Sequence, residues 1–334
     1  MVNSRENHMP FEIKDLAGLS QPVTKLIEVV SSAIGARFRP GNVVRDADAK
    51  AYEIKAIARA EAEAEEIRRT VKLDALVERI ESATGGDQTL AARARQRLLT
   101  REIEGQLNVE AIANEAVAAL PAAVSSDPVN EDWRRKFFLH AENVCEADMQ
   151  FLWGKVLAGE IATPGSFSVR TLDVLRNLSK NEAETFRRAC ACAMFDGWIA
   201  LPGPDLNTAL MPHGIAYNDI LVLRDAGLVA DGDNLHKNFS AQGPVSEPDK
   251  LKVVLFNNQT LIQLGGPALQ HLRISSLLFT TAGRELQRLI EPSPKELYLK
   301  ALGTFLRTKS LTVKRGTPVL REGGQTVLSF EDDL

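Results

Sequence analysis

His140 and Cys145 are side chains whose types could form a base and its nucleophile. On a helix, a separation of five positions turns the second side chain by about 140° from the first, so the two would not face each other. Cys190 and Cys192 could ligate a metal, but a tetrahedral zinc site needs four ligands and the only other cysteine is Cys145. We therefore expect no catalytic pair and no metal, and we interpret Cys190 and Cys192 as buried thiols.

The turn Asp231-Gly232-Asp233-Asn234 offers carboxylates that could ligate calcium. It lacks the spacing to a bidentate Glu that an EF-hand loop requires, so we favour a plain turn between two short strands. The sequence contains no phosphate-binding loop, no dinucleotide-binding glycine motif, no nucleophile elbow and no zinc-protease motif. We predict a protein that is not an enzyme and that uses no cofactor.

The stretch 284–321 carries a surplus of positive charge, with nine basic and three acidic residues. Such a surplus could meet nucleic-acid phosphates or an acidic partner. The candidate binding residues in it are Lys309, Lys314, Arg315 and Arg321. The whole chain has a net charge of -4, so the interpretation that we favour is a solvated face balanced by acidic surface elsewhere. Nucleic acid is therefore the less favoured partner.

The composition predicts a mainly α protein, because aromatic content is only 6% and Ala and Leu are abundant. Residues 1–21 show little periodicity and are expected to form a flexible N-terminus. Residues 22–120 are expected to contain an amphipathic helix followed by a long charged helical arm, broken at Gly85-Gly86. The apolar stripe of the arm, residues 43–120, is narrow. We therefore predict coiled-coil-like packing on a partner helix, and self-association through this arm.

The amphipathic helix at 22–39 has two interpretations. Its apolar face, flanked by Lys25, Arg37 and Arg39, could lie on a membrane surface. Packing against the charged arm is the interpretation that we favour. No apolar run of spanning length and no secretory signal are visible, and three cysteines cannot build a disulfide framework. We predict a cytoplasmic protein, with peripheral contact to the inner membrane as the alternative.

The C-terminal part is predicted to be a helical domain with small antiparallel strands, an α+β arrangement. We place the domain boundary at the linker Pro121–Pro128, a helical domain at 127–200 and a winged-helix-like region at 201–334. The segment Tyr217–Phe239 runs from a short helix into a Gly/Asp turn, as winged-helix modules do on entering the wing. A further hairpin is expected around Asn257-Asn258.

A long motif begins at Asp132 and ends at Thr171, and reads D-W…F-F…D-M-Q-x-L-W…L-A-G-E…P-G-S-F-S-x-R-T. It resembles an uncharacterised bacterial family, the domain of unknown function numbered 2806, over about Pro22 to Gln287. The chain departs from the pattern at Val144-Cys145-Glu146, where Val-Ser-Asp is expected. A more remote similarity, to the alpha-type abortive-infection proteins of bacteria, implies a role in defence against phage.

The resemblance carries no catalytic assignment, and the motif residues are interpreted as structural. They are Trp133, Phe137, Asp148, Trp153, Glu160, Gly165 and Arg170. The aromatic residues suit a helical core and Gly165 suits a tight turn. Asp148, Glu160 and Arg170 are the candidates for a buried ion pair or a partner contact. Our leading hypothesis is a bacterial defence protein that acts through oligomerisation or through membrane or partner contact. The alternative is a nucleic-acid-binding regulator that uses the winged-helix-like region.

Overall fold

The computed structural model describes residues 20–35, 38, 88–239, 251–258, 260–290, 292–320 and 326–333. The predicted flexible N-terminus up to residue 19, most of the predicted arm (residues 43–87) and Arg321 lie outside the described residues. The chain divides into two compact units, Met1–Phe167 and Ser168–Leu334.

The described part of the first unit consists of helices joined by loops and contains no strand. Its helices are α1 (Gln21–Ile34), α2 (Gln88–Ala119), α3 (Glu131–Ala141) and α4 (Ala147–Ala162). Pro22 lies in the first turn of α1, where its missing N–H costs nothing, and Gly35 ends the helix in a left-handed conformation with φ of 68°. The Asn130 side chain accepts a hydrogen bond from the Trp133 N–H and begins α3, as the sequence predicts.

Aromatic rings and a close helix crossing form the centre of the first unit. The buried rings of Trp133 and Phe137 stack at 5.0 Å, and Phe137 meets Trp153 at 5.1 Å. Where α2 and α4 pack together, a Cβ on Gly154 would lie 2.5 Å from the Cβ of Glu115. Glycine is therefore required at this position, because no side chain fits between the two helices.

The apolar face of α1 is turned into the first unit. Leu26 and Val30 are fully buried, and α1 contacts α2, α3 and α4. A membrane contact through this face would require α1 to leave the unit and expose those side chains to the lipid. Within the described residues, no helix is both long enough and apolar enough to cross a membrane.

The predicted domain boundary at Pro121–Pro128 lies inside the first unit instead of between the two units. The Lys25 ammonium ties this segment down, since Nζ donates to the carbonyl oxygens of Ser125 at 2.8 Å and Asp127 at 2.7 Å. The Ser125 N–H in turn donates to the carbonyl of Ala162 at 2.9 Å. These bonds join residues more than thirty positions apart, and composition alone does not reveal them.

The second unit confirms the α+β class, with helices and two small antiparallel sheets. Its helices are α5 (Val169–Asn177), α6 (Lys180–Cys190), α7 (Leu206–Ala209), α8 (Tyr217–Asp225), α9 (Thr281–Gln287) and α10 (Glu296–Arg307). Its strands are β1 (Trp198–Ala200), β2 (His236–Asn238), β3 (Lys252–Asn257), β4 (Thr260–Gly265), β5 (Arg273–Leu278), β6 (Thr312–Leu320) and β7 (Thr326–Asp333). Short 3₁₀ turns occupy Met211–His213 and Pro267–His271.

The first sheet has the strand order β1-β5-β2, with β5 in the centre. Val229 pairs with Phe279, and His236 pairs with Ser275, so both lie along the same edge of β5. The predicted turn at Asp231–Asn234 therefore does not join two strands of a hairpin. It interrupts a single edge of the sheet instead, because both flanking segments find their hydrogen-bond partners on β5.

The second sheet has the strand order β3-β4-β6-β7. The predicted hairpin is confirmed: β3 and β4 pair from Lys252 with Gly265 to Asn257 with Thr260, and Asn258 takes a positive φ of 52° in the turn. Leu264 pairs with Val313 and both are buried, while α10 contacts β6. The apolar face of this sheet thus contributes to the core of the second unit.

Candidate functional site

Glu160 is a buried carboxylate that closes a turn of the first unit. It is 1% exposed, and its Oε1 and Oε2 accept hydrogen bonds from the backbone N–H groups of Gly165 at 2.7 Å and Phe167 at 3.0 Å. Gly165 has a φ of +86°, which favours glycine. The Phe167 ring packs so closely on Gly159 that a Cβ there would lie 2.7 Å from it. The L-A-G-E…P-G-S-F part of the motif therefore specifies a folded turn.

Lys25 lies within electrostatic reach of Glu160. Burial lowers the pKa of Lys25, while the nearby negative charges of Asp127 and Glu160 act to raise it. The remaining polar motif residues, Asp148 and Arg170, are exposed. Sequence reasoning missed Lys25 as a partner of the motif, because it lies far from the motif in the chain and is visible there only as a flank of the apolar face of α1.

The residues considered for catalysis lie in different surroundings. The His140 ring meets the edge of Trp153 with centroids 6.3 Å apart, and Cys145 is exposed. Cys190 and Cys192 are buried; burial raises the pKa of Cys190 and raises the pKa of Cys192 to about 12. Both thiols stay protonated at neutral pH and lack the thiolate that a nucleophile needs. In the part of the chain that the structure describes, no three His, Cys, Asp or Glu side chains are placed to hold a metal ion.

The predicted basic surface is less cationic than its sequence suggests. Arg315 donates from both terminal nitrogens to the two carboxylate oxygens of Glu296, at 2.8 and 2.7 Å. This pairing raises the pKa of Arg315 and lowers the pKa of Glu296. The Lys309 ammonium lies 5.0 Å from the centre of the Phe305 ring, and Lys314 is exposed on β6. One of the three described candidates is thus already neutralised.

Two arginines that sequence reasoning did not single out line a depression of about 410 Å³, here called the cationic depression. Its lining residues are Phe195, Asp196, Thr281, Arg284, Glu285 and Arg288. The Phe195 side chain is 71% exposed. The Arg284 stem crosses Gly197 so closely that a Cβ on Gly197, which has a φ of +83°, would lie 2.1 Å from the Arg284 Cγ. The turn before β1 therefore positions both Phe195 and Arg284.

A second hollow, the apolar depression, shares the Phe195-Asp196 wall and has a volume of about 300 Å³. Its other lining residues are Met194, Trp198, Lys237, Phe239 and Val253–Phe256. Lys237 lies across it with its ammonium 5.5 Å from the Trp198 ring centre. The two hollows together offer a cationic half and an aromatic and aliphatic half.

The helix pair between β1 and β2 presents a different surface. Met211 and Leu221 are large apolar side chains that stay 65% and 38% exposed. The one cation of α8, Arg224, donates to the carbonyl of Gly232 and to the carboxylate of Asp233, each at 2.8 Å. The exposed side of α8 thus offers apolar and acidic groups rather than a free positive charge.

Comparison with known proteins gives one match. The family model described as a protein of unknown function (DUF2806) matches residues 92–197 and 205–303. No curated protein and no solved structure matches the chain. The similarity to abortive-infection proteins therefore stays a prediction, whereas the family predicted from the motif is confirmed. Since the two matched segments cover more than half of the 334 residues, the chain belongs to the family of proteins of unknown function numbered 2806.

Proposed function

We propose that the protein acts by binding a protein partner rather than by catalysis, through a winged-helix-like module in its second unit. The observation that carries this proposal is the sheet order β1-β5-β2, with the helix pair of α7 and α8 inserted between β1 and β2. Winged-helix modules have this arrangement, in which the second helix of the pair is presented to the partner. Here α8, Tyr217–Asp225, takes that position.

The position of the wing supports the same comparison. In a winged-helix module, the wing joins the two strands that follow the helix pair, which are β2 and β5 here. The connection in this chain is long and contains β3 and β4, which form the second sheet together with β6 and β7. The wing is therefore elaborated into a part of another sheet, and the surface of α8 is the module's most direct contact surface.

The surface of α8 favours a protein partner over nucleic acid. A recognition helix that enters a DNA groove presents cationic and amide side chains to phosphates and bases. α8 presents Asn218, Leu221 and Asp225, and Arg224 is engaged by its own unit. Exposed apolar side chains with a polar rim are typical of protein interfaces. The exposed carboxylate of Asp225 would repel nucleic-acid phosphates.

Photo-crosslinking in the producing cells tests the protein partner. A photoreactive amino acid at position 218 on α8 should give a discrete adduct with one protein, and Leu221→Arg should remove that adduct. The same amino acid at position 187, on the exposed side of α6, is the matched control. Circular dichroism checks that Leu221→Arg still folds. Identical adducts from positions 218 and 187, or an adduct that survives Leu221→Arg, would rule out α8 as the contact.

Nucleic-acid binding is the second candidate, and the exposure of Lys309 and Lys314 favours it. If this surface binds a duplex, affinity should fall steeply with salt, and Lys309→Glu with Lys314→Glu should reduce both affinity and the salt slope. Lys300→Glu on α10 is the control. Fluorescence anisotropy measures both quantities, and retention on DNA that is the same in all three proteins counts against this candidate.

The defence role is a proposal that rests on the remote resemblance alone. Phage should form fewer plaques on cells that carry the gene than on cells that carry the Leu221→Arg version. Equal plaque counts over a broad panel of phage would contradict the defence role. A cytoplasmic location is proposed because the cysteines are free thiols.

Two further proposals are tested by sedimentation. Sedimentation of the protein alone measures self-association through residues 43–120, and co-sedimentation with anionic vesicles measures membrane contact through residues 22–39.

A further inference from the structure

We propose that the cationic depression binds a nucleotide, with Arg284 and Arg288 holding the phosphates and Phe195 packing against the base. The proposal is independent of the partner surface on α8. It assigns a ligand class, a base that carries phosphate, to a surface that the family match leaves unassigned. The argument rests on the two cations, on the acidic groups beside them and on the exposed ring.

The two arginines are placed for one anion. Arg284 and Arg288 are four positions apart at the end of α9, a spacing that sets the side chains on the same side of the helix. Both are exposed, and the Arg284 Nη2 donates to the Thr281 hydroxyl at 3.3 Å. Among the residues that the structure describes, neither guanidinium forms an ion pair with a carboxylate. Paired guanidinium groups suit phosphate oxygens because each presents several donors in one plane.

The two acidic residues of the depression are engaged elsewhere. Asp196 Oδ2 accepts from the Lys237 ammonium at 2.6 Å, and its Oδ1 accepts from the Trp198 indole N–H. Glu285 Oε2 accepts from the Ser168 N–H at 2.7 Å and from the Thr171 hydroxyl, at the N-terminal end of α5. Each carboxylate thus has its own positive or hydrogen-bonding environment. Among the described residues, neither carboxylate forms an ion pair with Arg284 or Arg288, so both guanidinium groups keep donors for a ligand.

The Phe195 side chain is exposed to solvent, while its backbone is held by a hydrogen bond. Its N–H donates to the carbonyl of Phe256 at 2.7 Å, and the residue before it, Met194, is buried. Exposure of most of a phenyl ring costs hydrophobic free energy that a covering ligand would recover. The ring and the two arginines line the same hollow, and the Arg284 stem crosses Gly197, two positions after Phe195. A ring beside two guanidinium groups matches a base beside its phosphates.

Size agrees with a small ligand. A volume of about 410 Å³ lies within the range of small-molecule sites, and the neighbouring apolar depression gives room for a base beyond Phe195. A free nucleotide and the end of a single strand share this chemistry. The experiment therefore includes both.

Isothermal titration of the full chain tests the proposal with four probes: ADP, inorganic pyrophosphate, adenosine and a short oligothymidylate. ADP should bind at one site per chain and more tightly than pyrophosphate or adenosine. Arg284→Gln with Arg288→Gln should weaken ADP binding by at least about 30-fold, because two charge-assisted hydrogen-bonding groups are lost. Phe195→Ser should weaken ADP binding but leave pyrophosphate binding unchanged. Arg187→Gln, an exposed arginine on α6, should change neither.

The contrary outcomes are equally specific. Absence of saturable binding of all four probes at millimolar concentration overturns the proposal, as does ADP affinity that survives loss of both arginines. Equal affinity for ADP and pyrophosphate shows a general anion site and overturns the nucleotide assignment. Tighter binding of the oligothymidylate, lost in the same two variants, supports the site and identifies a single strand as the source. Circular dichroism of each variant excludes loss of fold as the cause.

Discussion

Two pairs of charged side chains, one pair in each unit, are used in opposite ways. In the first unit, the buried carboxylate of Glu160 accepts hydrogen bonds from two backbone N–H groups, and the Lys25 ammonium donates to three backbone carbonyls. In the second unit, Arg284 and Arg288 are exposed beside acids that are already engaged. Glu160 and Lys25 thus hold the backbone of the first unit, while Arg284 and Arg288 leave positive charge on the surface of the second unit.

This difference separates the signature of the family from the surfaces that we propose to bind. The motif residues with visible contacts close turns, cap helices or pack: Glu160 closes the turn at Gly165, and Ser168 caps α5 through the Thr171 N–H. They identify the fold. The candidate surfaces, on α8 and in the cationic depression, lie outside the motif. Recognition of a family motif and location of its function are therefore separate problems here.

The comparison predicts its largest effect at Glu160. Glu160→Ala removes the acceptor of the buried Phe167 N–H and of the part-buried Gly165 N–H, and it empties the space of a buried side chain, so we expect a loss of about 3 kcal/mol in the free energy of unfolding. Urea denaturation followed by circular dichroism measures it. Asp148→Ala on the same helix, at an exposed position, should cost about 0.5 kcal/mol or less. Equal midpoints for the two variants would show that Glu160 does not hold the turn.

A smaller effect is expected at the helix crossing. Gly154→Ala places a Cβ 2.5 Å from the Cβ of Glu115, and forcing α2 and α4 apart should cost about 2 kcal/mol. Gly105→Ala is the matched change on α2, where the new Cβ would lie 3.4 Å from Glu142, an ordinary contact. That variant should be neutral or gain about 0.5 kcal/mol, because alanine favours a helix interior. Urea midpoints that move in the same direction would contradict this packing.

Local chemistry accounts for what could be predicted from the sequence. The Asn130 cap, the capping box of Ser179 with Glu182 and the turn at Asn257-Asn258 all depend on residues a few positions apart, and the structure contains each of them. Cys190 and Cys192, interpreted as buried thiols because the sequence offers too few cysteines for a zinc site, are both buried. Fold class follows from such signals added along the chain.

Contacts between distant positions account for what could not be predicted. Lys25 meets carbonyls about a hundred residues away, which draws the predicted linker into the first unit. The charge of Arg315 is neutralised by Glu296, an acidic residue that lies within the same basic stretch of the sequence, 284–321. The cationic depression needs Phe195 beside Arg284, and nothing in the chain between them signals that neighbourhood. A count of charges along the sequence therefore names the region of positive charge but not the free cations.

His213 tests whether the second unit also holds buried charge-sensitive groups. Burial, and then the Lys295 ammonium, lower the pKa of His213. Because unfolded histidine titrates at about pH 6.5, the unfolded chain takes up the proton first as the pH falls. The stability that the neutral ring contributes is complete above that pH, and falls as the pH drops toward the folded pKa. His213→Gln should therefore lose less stability between about pH 7.5 and pH 5 than the unaltered chain.

The matched change is His236→Gln, because the His236 ring is exposed on β2. It should leave the pH dependence of the unaltered chain in place. Urea midpoints at the two pH values measure the loss of stability on acidification. An equal loss in the unaltered chain and in His213→Gln would show that His213 is not the source of the pH dependence.

The smallest effect is predicted at the arginines, and it completes the comparison. Arg284→Gln with Arg288→Gln removes two charges from the second unit, yet stability should change by no more than about 0.5 kcal/mol, because both guanidinium groups are exposed and form no ion pair among the described residues. Arg315→Gln is the contrast, since it breaks the two hydrogen bonds to Glu296 and should cost up to about 1 kcal/mol. Urea midpoints of the two variants decide the point. A larger loss from the double variant than from Arg315→Gln would mean that the arginines support the fold, and the contrast between the units would then fail.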